Sequence, residues 1–397
     1  MSVLFVGIDI SKDYSTAQGL DRSGKKLFYV RFEMGAQGFS ELLNAIKKCS
    51  AGINKVTVAM ESTGCYHINL FSCLCLEGIR CVVVNPLLIT NFARLSLRKT
   101  KTDKKDALTI AQFLLANGDS LNAMAFSQTT QDLRDLARER ESLTWIISGM
   151  KNDIKRLLQT TFPELESLCK PYSETMLNFL HRFPSARLIR EAKTKEIEKA
   201  LIFPEEKRKR VLITAQEIID AAKRSVASAG VAKELILSEK VSTVLYLLEK
   251  SKKITEALIE SCESLKIEEL DIIKSIDGVD DITGSIFLAE LGDVSSFGSY
   301  KHVIAFAGLD PSINQSGQHE GKSRISKRGN RHLRRIIFMM TMCSIRGNNV
   351  FRAYFQKRKQ EGLPPMKALM ATSHKLIRVI FSMLSNKTFF KKEVAGV

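Results

Sequence analysis

Along the first ~120 residues, short unbroken apolar runs alternate with stretches of helical spacing, the pattern of an α/β domain. VLFVGID, residues 3–9, is an apolar run ending in a carboxylate. The turn DRSGK leads to KLFYVRFE, read as a hairpin partner. GFSELLNAIKKC has helical spacing, and KVTVAME (55–61) is another strand ending in a carboxylate. HINLFSCLCLEG predicts a helix stopped at Gly78, and IRCVVVNP (79–86) a buried strand. TDKKDALTIAQFLLANG (102–118) predicts a helix with Thr102 as its N-cap and Gly118 as its stop.

Beyond this the period changes. Over 133–157 the heptad a positions hold Leu133, Arg140, Ile147 and Ile154, and the d positions Leu136, Leu143, Met150 and Leu157. With charged flanks, this predicts a coiled-coil helix ended by Phe162-Pro163. Leu237, Val241, Val244, Leu248, Ile254 and Leu258 predict a second long helix, able to pair within one chain or between chains. From Ile272, SIDGVDDITGSIFLAELGD resembles a helix–hairpin–helix, a backbone cradle for phosphate, with GVD in place of the usual Gly-x-Gly. Two apolar helices follow, RHLRRIIFMMTMCSI and MKALMATSHKLIRVIFSML. The expected domains are 1–125, α/β; 126–265, a helical coiled-coil spacer; and 266–397, small and mostly α-helical.

Charge sharpens this division. The net charge of the 397-residue chain is +17, and from Lys301 onward 19 Lys and Arg face 4 Asp and Glu. That region carries +15 and the first 300 residues only +2, which points to a polyanion partner, most simply nucleic acid. The eight cysteines include no Cys-x-x-Cys, so neither a zinc site nor a disulfide framework is expected. No apolar run approaches ~18 residues, and the start lacks a basic leader pattern. A cytoplasmic, nucleoid-associated protein without a membrane partner is expected.

Four acidic residues carry the candidate chemistry. Asp9 and Glu61 each end a strand, and Asp103 and Asp106 lie at i, i+3 on one helix. Each alone is equally an ordinary cap. Together, at strand ends and a neighbouring helix end, they would repel unless cations neutralise them, which implies Mg²⁺ or Mn²⁺. Two such ions suit phosphoryl transfer. Lys99, Lys101, Lys104 and Lys105 beside them would attract a phosphate backbone.

The segments GIDISK, AMESTGCYH and KTDKKDA, with the carboxyl-terminal AFAGLDPSINQSGQHEGKSRISKRGNRHLRR, resemble the DEDD transposases of the insertion sequence 110 family. The resemblance covers about 1–160 and 270–360. It implies a RuvC-like, RNase H-type amino-terminal domain whose metal-binding tetrad is Asp9, Glu61, Asp103 and Asp106. It also implies a second domain with a serine nucleophile, here Ser316, before a Lys-x-Gly turn, here Lys327-Arg328-Gly329. The implied activity is cleavage and rejoining of donor and target double-stranded DNA. A bridge RNA would serve as guide, and the working form would be a dimer, or a tetramer when two duplexes are joined. Lys322, Arg324, Lys327, Arg328 and Arg331, with Arg334 and Arg335 beyond them, are the expected nucleic-acid contacts. Ser-Gly is also a common turn pair, and Ser312, Ser323 and Ser326 lie close by.

The family also contains Piv-type invertases, which the sequence does not separate from transposases. A metal-dependent junction nuclease would need the carboxylates but have no use for Ser316. A non-catalytic nucleic-acid-binding protein would leave the carboxylates unexplained. An actin-like ATPase or sugar kinase would need a second glycine-rich phosphate loop, which is not visible.

Overall fold

The computed structural model describes residues 3–61, 65–84, 86–93, 103–118, 127–201, 213–228, 230–312, 315–316, 319–320, 324–347 and 349–391. The chain divides into two compact units, Met1–Gln128 and Thr129–Val397.

The first unit is built on five strands: β1 (Leu4–Asp9), β2 (Tyr14–Leu20), β3 (Lys26–Glu33), β4 (Val56–Glu61) and β5 (Arg80–Val84). Their order is β3-β2-β1-β4-β5. The first three are antiparallel neighbours, while β1, β4 and β5 run parallel. This mixed sheet is consistent with a RuvC-like domain. KLFYVRFE is indeed a hairpin strand, but it pairs with β2, which the hydropathy pattern does not reveal.

Alternation along the strands sorts their residues onto two faces. Leu4, Val6 and Ile8 of β1, with Val56, Val58 and Met60 of β4, share one core with Leu42 and Ile46 of α1 (Ala36–Cys49) and Leu70 and Leu74 of α2 (His67–Leu76). The other face, with Ala59 and Val82, packs on Ile89 of α3 (Pro86–Ala93) and on Ile110, Phe113 and Leu114 of α4 (Asp103–Asn117).

The second unit hangs on two long helices, α5 (Gln128–Thr161, 34 residues) and, later in the chain, α11 (Val231–Lys274, 44 residues). Between them lie α6 (Leu165–Leu168), α7 (Glu174–Arg182), α8 (Ala186–Glu191), α9 (Thr194–Leu201) and α10 (Ala215–Arg224). The long pair is antiparallel within one chain, since Arg140 Nε donates to Thr255 Oγ1 (3.1 Å) and Lys240 Nζ meets Asp153 Oδ2 (2.6 Å). At one end Ile147, Ile154 and Leu158 join Leu237, Val241 and Val244 and the short helices in one core. At the other, Leu133, Ala137, Leu258 and Cys262 enter a second core. α11 kinks at Lys266, whose φ of −147° and ψ of 38° are non-helical.

That second core also holds α12 (Asp281–Leu291), α13 (Tyr300–Phe306), α14 (Arg331–Ser344), α15 (Val350–Gln360) and α16 (Pro365–Asn386). α12 starts on a capping box in which Asp280 Oδ1 accepts from Thr283 N–H (2.8 Å), and residues 275–280, where the sequence resembles a helix–hairpin–helix, separate it from α11. Among the described residues, four two-residue strands lie between α13 and α14: β6 (Pro311–Ser312), β7 (Gln315–Ser316), β8 (His319–Glu320) and β9 (Arg324–Ile325). β6 pairs with β9, and β7 with β8, both antiparallel, which makes this segment a hairpin. Among the described residues no helix is long and apolar enough to cross a membrane.

Candidate functional site

In the first unit three sequence-predicted elements converge. The parallel register sets Ile8 beside Met60, so the next residues, Asp9 and Glu61, end adjacent strands at the same edge of the sheet. Both fall in the alternation of Phe5, Gly7 and Ala59, on the face that α4 covers. α4 crosses at Gly7, where a Cβ would fall well inside contact distance of the Ala107 carbonyl and the Ala111 amide. Only glycine permits that approach. A Cβ built on Gly118 would meet Phe5 at 3.8 Å, so the C-terminal end of α4 lies by the start of β1. Its N-terminal end, with Asp103 and Asp106, therefore points toward the end of β1 that carries Asp9.

The described residues contain no group of three His, Cys, Asp or Glu side chains closed around one point. The side chain of Asp103 lies outside the description. A donor set made of these four carboxylates would be oxygen only, which suits a hard divalent cation in place of zinc or copper. Lys104 and Lys105 are exposed on α4, and Lys104 Nζ sits 5.0 Å from the Tyr29 ring centre. Lys99 and Lys101 lie outside the described residues, as does the proposed N-cap Thr102.

In the second unit Ser316 stands in β7, its backbone paired with His319 of β8. Its side chain lies outside the description, as do Lys322 and Ser323 entirely. The base of this hairpin is fixed by two interlocked turns. Ser326 donates from its amide to the Asp310 carbonyl (2.8 Å) and from Oγ to Asp310 Oδ1 (2.6 Å). Lys327 N–H donates to the Gly308 carbonyl (3.0 Å), and Asn330 N–H to the Phe306 carbonyl (2.7 Å). These bonds hold Lys327 at φ +55°, a left-handed conformation costing about 1 kcal/mol. Gly329 lies so close to the Phe306 carbonyl that no side chain fits there. Ser326 is thus a turn-locking residue.

Asn330 then caps α14 through Oδ1, which accepts from His332 and Leu333 amides (3.0 and 3.1 Å). Its Nδ2 donates to Glu290 Oε2 (2.7 Å), a buried carboxylate also held by Arg138 (2.8 and 3.0 Å). Arg324, Lys327, Arg328 and Arg331 are exposed around this turn. Arg334 and Arg335 are engaged within the fold. Arg334 donates to the Ala307 carbonyl (2.8 Å), and burial holds its pKa below the usual value. Arg335 pairs with Glu141 of α5 (2.6 Å) and lies 5.0 Å from the Trp145 ring centre. Glu141 also meets His332 Nδ1 at 2.6 Å. Sequence reading missed Arg138, Glu141 and Glu290 because their ion-pair partners lie more than a hundred residues away. The one signal was an acid or base on a helix otherwise spaced for a core.

A family described as Transposase, of the DEDD type from IS110 elements, matches residues 6–163. A second, described as Transposase IS116/IS110/IS902 family, matches 270–356. The chain is 24% identical to the 43.6 kDa protein of insertion element IS110 of Streptomyces coelicolor, over 99% of this chain and 97% of that one. It is 22% identical to the pilin gene-inverting protein of Moraxella bovis, over 99% of each chain. It is 24% identical to the transposase for insertion sequence element IS1111A of Coxiella burnetii, over 98% of this chain and 92% of that one. The two family matches thus fall on the carboxylate-bearing sheet and on the hairpin and its basic turn, and the chain belongs to the IS110 family of transposases, enzymes that cleave and rejoin DNA.

Proposed function

We propose that this transposase exchanges DNA strands through a covalent phosphoserine intermediate on Ser316. Asp9, Glu61, Asp103 and Asp106 would hold the divalent cations, Mg²⁺ or Mn²⁺. The observation that carries the reading is the meeting of Asp9 and Glu61 on one face of adjacent strand ends, with the N-terminal end of α4 directed to the same edge.

In the first step Ser316 Oγ attacks the scissile phosphorus. The new P–Oγ bond replaces the bond to the 3′ oxygen, which departs as a 3′ hydroxyl with a proton balancing the one lost by serine. Attack by a second strand's 3′ hydroxyl reverses these changes and releases the serine, so no external energy source is needed. A serine hydroxyl is a weak nucleophile unless its surroundings favour the alkoxide. The exposed cations Arg324, Lys327, Arg328 and Arg331 would stabilise the added negative charge of the transition state. Bound at the carboxylates, a divalent cation would supply Lewis-acid stabilisation of negative charge on a phosphoryl oxygen.

The +15 charge beyond Lys301 supports a structured RNA partner, a bridge RNA held by its backbone and shape, in addition to DNA. A Piv-type invertase without guide is the second reading, favoured by the full-length similarity to the pilin gene-inverting protein. The working form is proposed to be a dimer, and a tetramer across two duplexes. A metal-dependent junction nuclease would cleave without rejoining.

One strand-exchange assay tests these together, run with Mg²⁺ or EDTA and with or without the element's own transcripts. Exchange is expected with Mg²⁺ and transcript. Each single alanine variant of the four carboxylates should abolish it, at unchanged or raised Tm. Wild-type exchange in Asp9→Ala would contradict the tetrad, exchange without transcript favours the invertase, and cleavage without rejoining favours the nuclease.

A further inference from the structure

A cleft of about 440 Å³ opens between α13, α15 and α16, with Asp310 and Pro311 in its lining. Those two residues are the base of the hairpin that bears Ser316. The cleft is strongly basic: Lys301, Arg358, Lys375 and Arg378 line it from three helices. Its one lining carboxylate, Asp310, already accepts from Ser326 Oγ (2.6 Å). Arg358 pairs with Glu361 (2.6 Å), whereas among the described residues Lys301, Lys375 and Arg378 have no carboxylate partner.

These cations are held where they repel one another. Tyr354 carries two of them, Lys375 Nζ at 4.6 Å and the Arg358 guanidinium at 5.4 Å from the ring centre. Burial first, then Arg378 and Lys357, lower the pKa of the Lys375 ammonium. His374 Nε2 lies 3.0 Å from the Leu309 carbonyl, which ties α16 to the loop just before the hairpin. Like charges gathered this way exceed the internal partners that neutralise them and suit an external polyanion. Lys375 and Arg378, at i, i+3, have Cβ atoms about 5–6 Å apart, so both can meet successive phosphates of one strand. Ser316 is five residues beyond Pro311, at most about 18 Å of extended chain. That span is roughly five base steps of a duplex.

We propose that this cleft clamps the sugar–phosphate backbone of the DNA strand flanking the exchanged phosphodiester, with phosphates against Lys375 and Arg378 and then Lys301 and Arg358. This rests on the reading of the Ser316 hairpin as the place of exchange, and it adds a binding site that sets the strand's register there. Tyr354 is a positioning residue that holds two of the cations.

The test is binding, by fluorescence anisotropy of the full-length protein with a labelled DNA duplex or a labelled RNA hairpin between about 50 and 200 mM salt, read beside covalent adduct formation on the same DNA. The double variant K375Q/R378Q should bind DNA about tenfold or more weakly, and its log–log salt slope should fall by about 2. Lys301→Gln, at an exposed position where misfolding is no concern, should lower the slope by about 1. Tyr354→Leu should weaken DNA binding, and Tyr354→Phe, which keeps the ring, should restore it. An unchanged DNA slope in K375Q/R378Q and Lys301→Gln overturns the proposal, as does a change confined to the RNA. A covalent adduct formed by variants with reduced DNA slope leaves both readings standing. A slope change with no adduct in the wild type removes the exchange reading and keeps the clamp.

Discussion

Gly7 stands two residues before Asp9 on the same face of β1, at the point where α4 touches the sheet. A methyl group there would meet backbone atoms of Ala107 and Ala111, which cannot rotate away, so α4 must shift. Gly7→Ala should cost about 1–3 kcal/mol through overpacking. It should also reduce strand exchange more than that loss explains, because the moved helix carries Asp103 and Asp106. Denaturant unfolding and exchange measured on the same preparation check this; full activity in a destabilised protein would separate α4 from the site. Asp9 and Glu61 are legible in the sequence because each ends an apolar run, which fixes it at a strand end. Glu290 is not, because its meaning comes from Arg138 and Asn330, 152 and 40 residues away. Ser326 lies close to Ser316 in the sequence, and only the geometry shows its hydroxyl bonded to Asp310.

The heptad pattern is informative at the scale of elements because its period is local. Leu133, Leu143, Ile147 and Ile154 are buried, and Leu136, Met150 and Leu157 pack beside them. Arg140, out of place in an apolar seam, lies between the two cores and bonds Thr255. β2 was illegible for the opposite reason. Its buried positions include Ser15, Thr16 and Gln18, so no hydropathy alternation marks it. α5 also does more than space the ends of the unit, since Glu141 joins it to α14 through His332 and Arg335. Burial opposes ionisation of Glu141, but the hydrogen bonds from His332 and Arg335 outweigh it and hold its pKa below the ordinary value. A depressed folded pKa contributes stability above the unfolded value, lost as pH falls through the folded one. Glu141→Gln should therefore lower Tm near neutrality by about 2–4 °C for each 1 kcal/mol lost. The difference from wild type should shrink as the pH drops below the normal carboxylate range. A Tm difference that stays constant from neutral to acid pH would contradict the pairing.

For the whole molecule, charge and chemistry divide along the chain. The carboxylates sit in the first unit, and the basic residues concentrate beyond Lys301 in the second. Composition made that division legible, and the ordered motifs made the family legible. The antiparallel pairing of α5 with α11 inside one chain, and the cleft beside the hairpin, were not, since both depend on which distant segments meet. The claim everything else serves is that Ser316 carries the covalent step. It is tested by incubating the protein with an end-labelled DNA substrate and Mg²⁺, then resolving protein–DNA adducts under denaturing conditions. The wild type, Ser323→Ala and Ser326→Ala should all form the adduct, Ser326→Ala with a lower Tm from its loosened turn. Ser316→Ala should bind the same DNA and form none, whereas an adduct persisting in Ser316→Ala would show that another group attacks the phosphate.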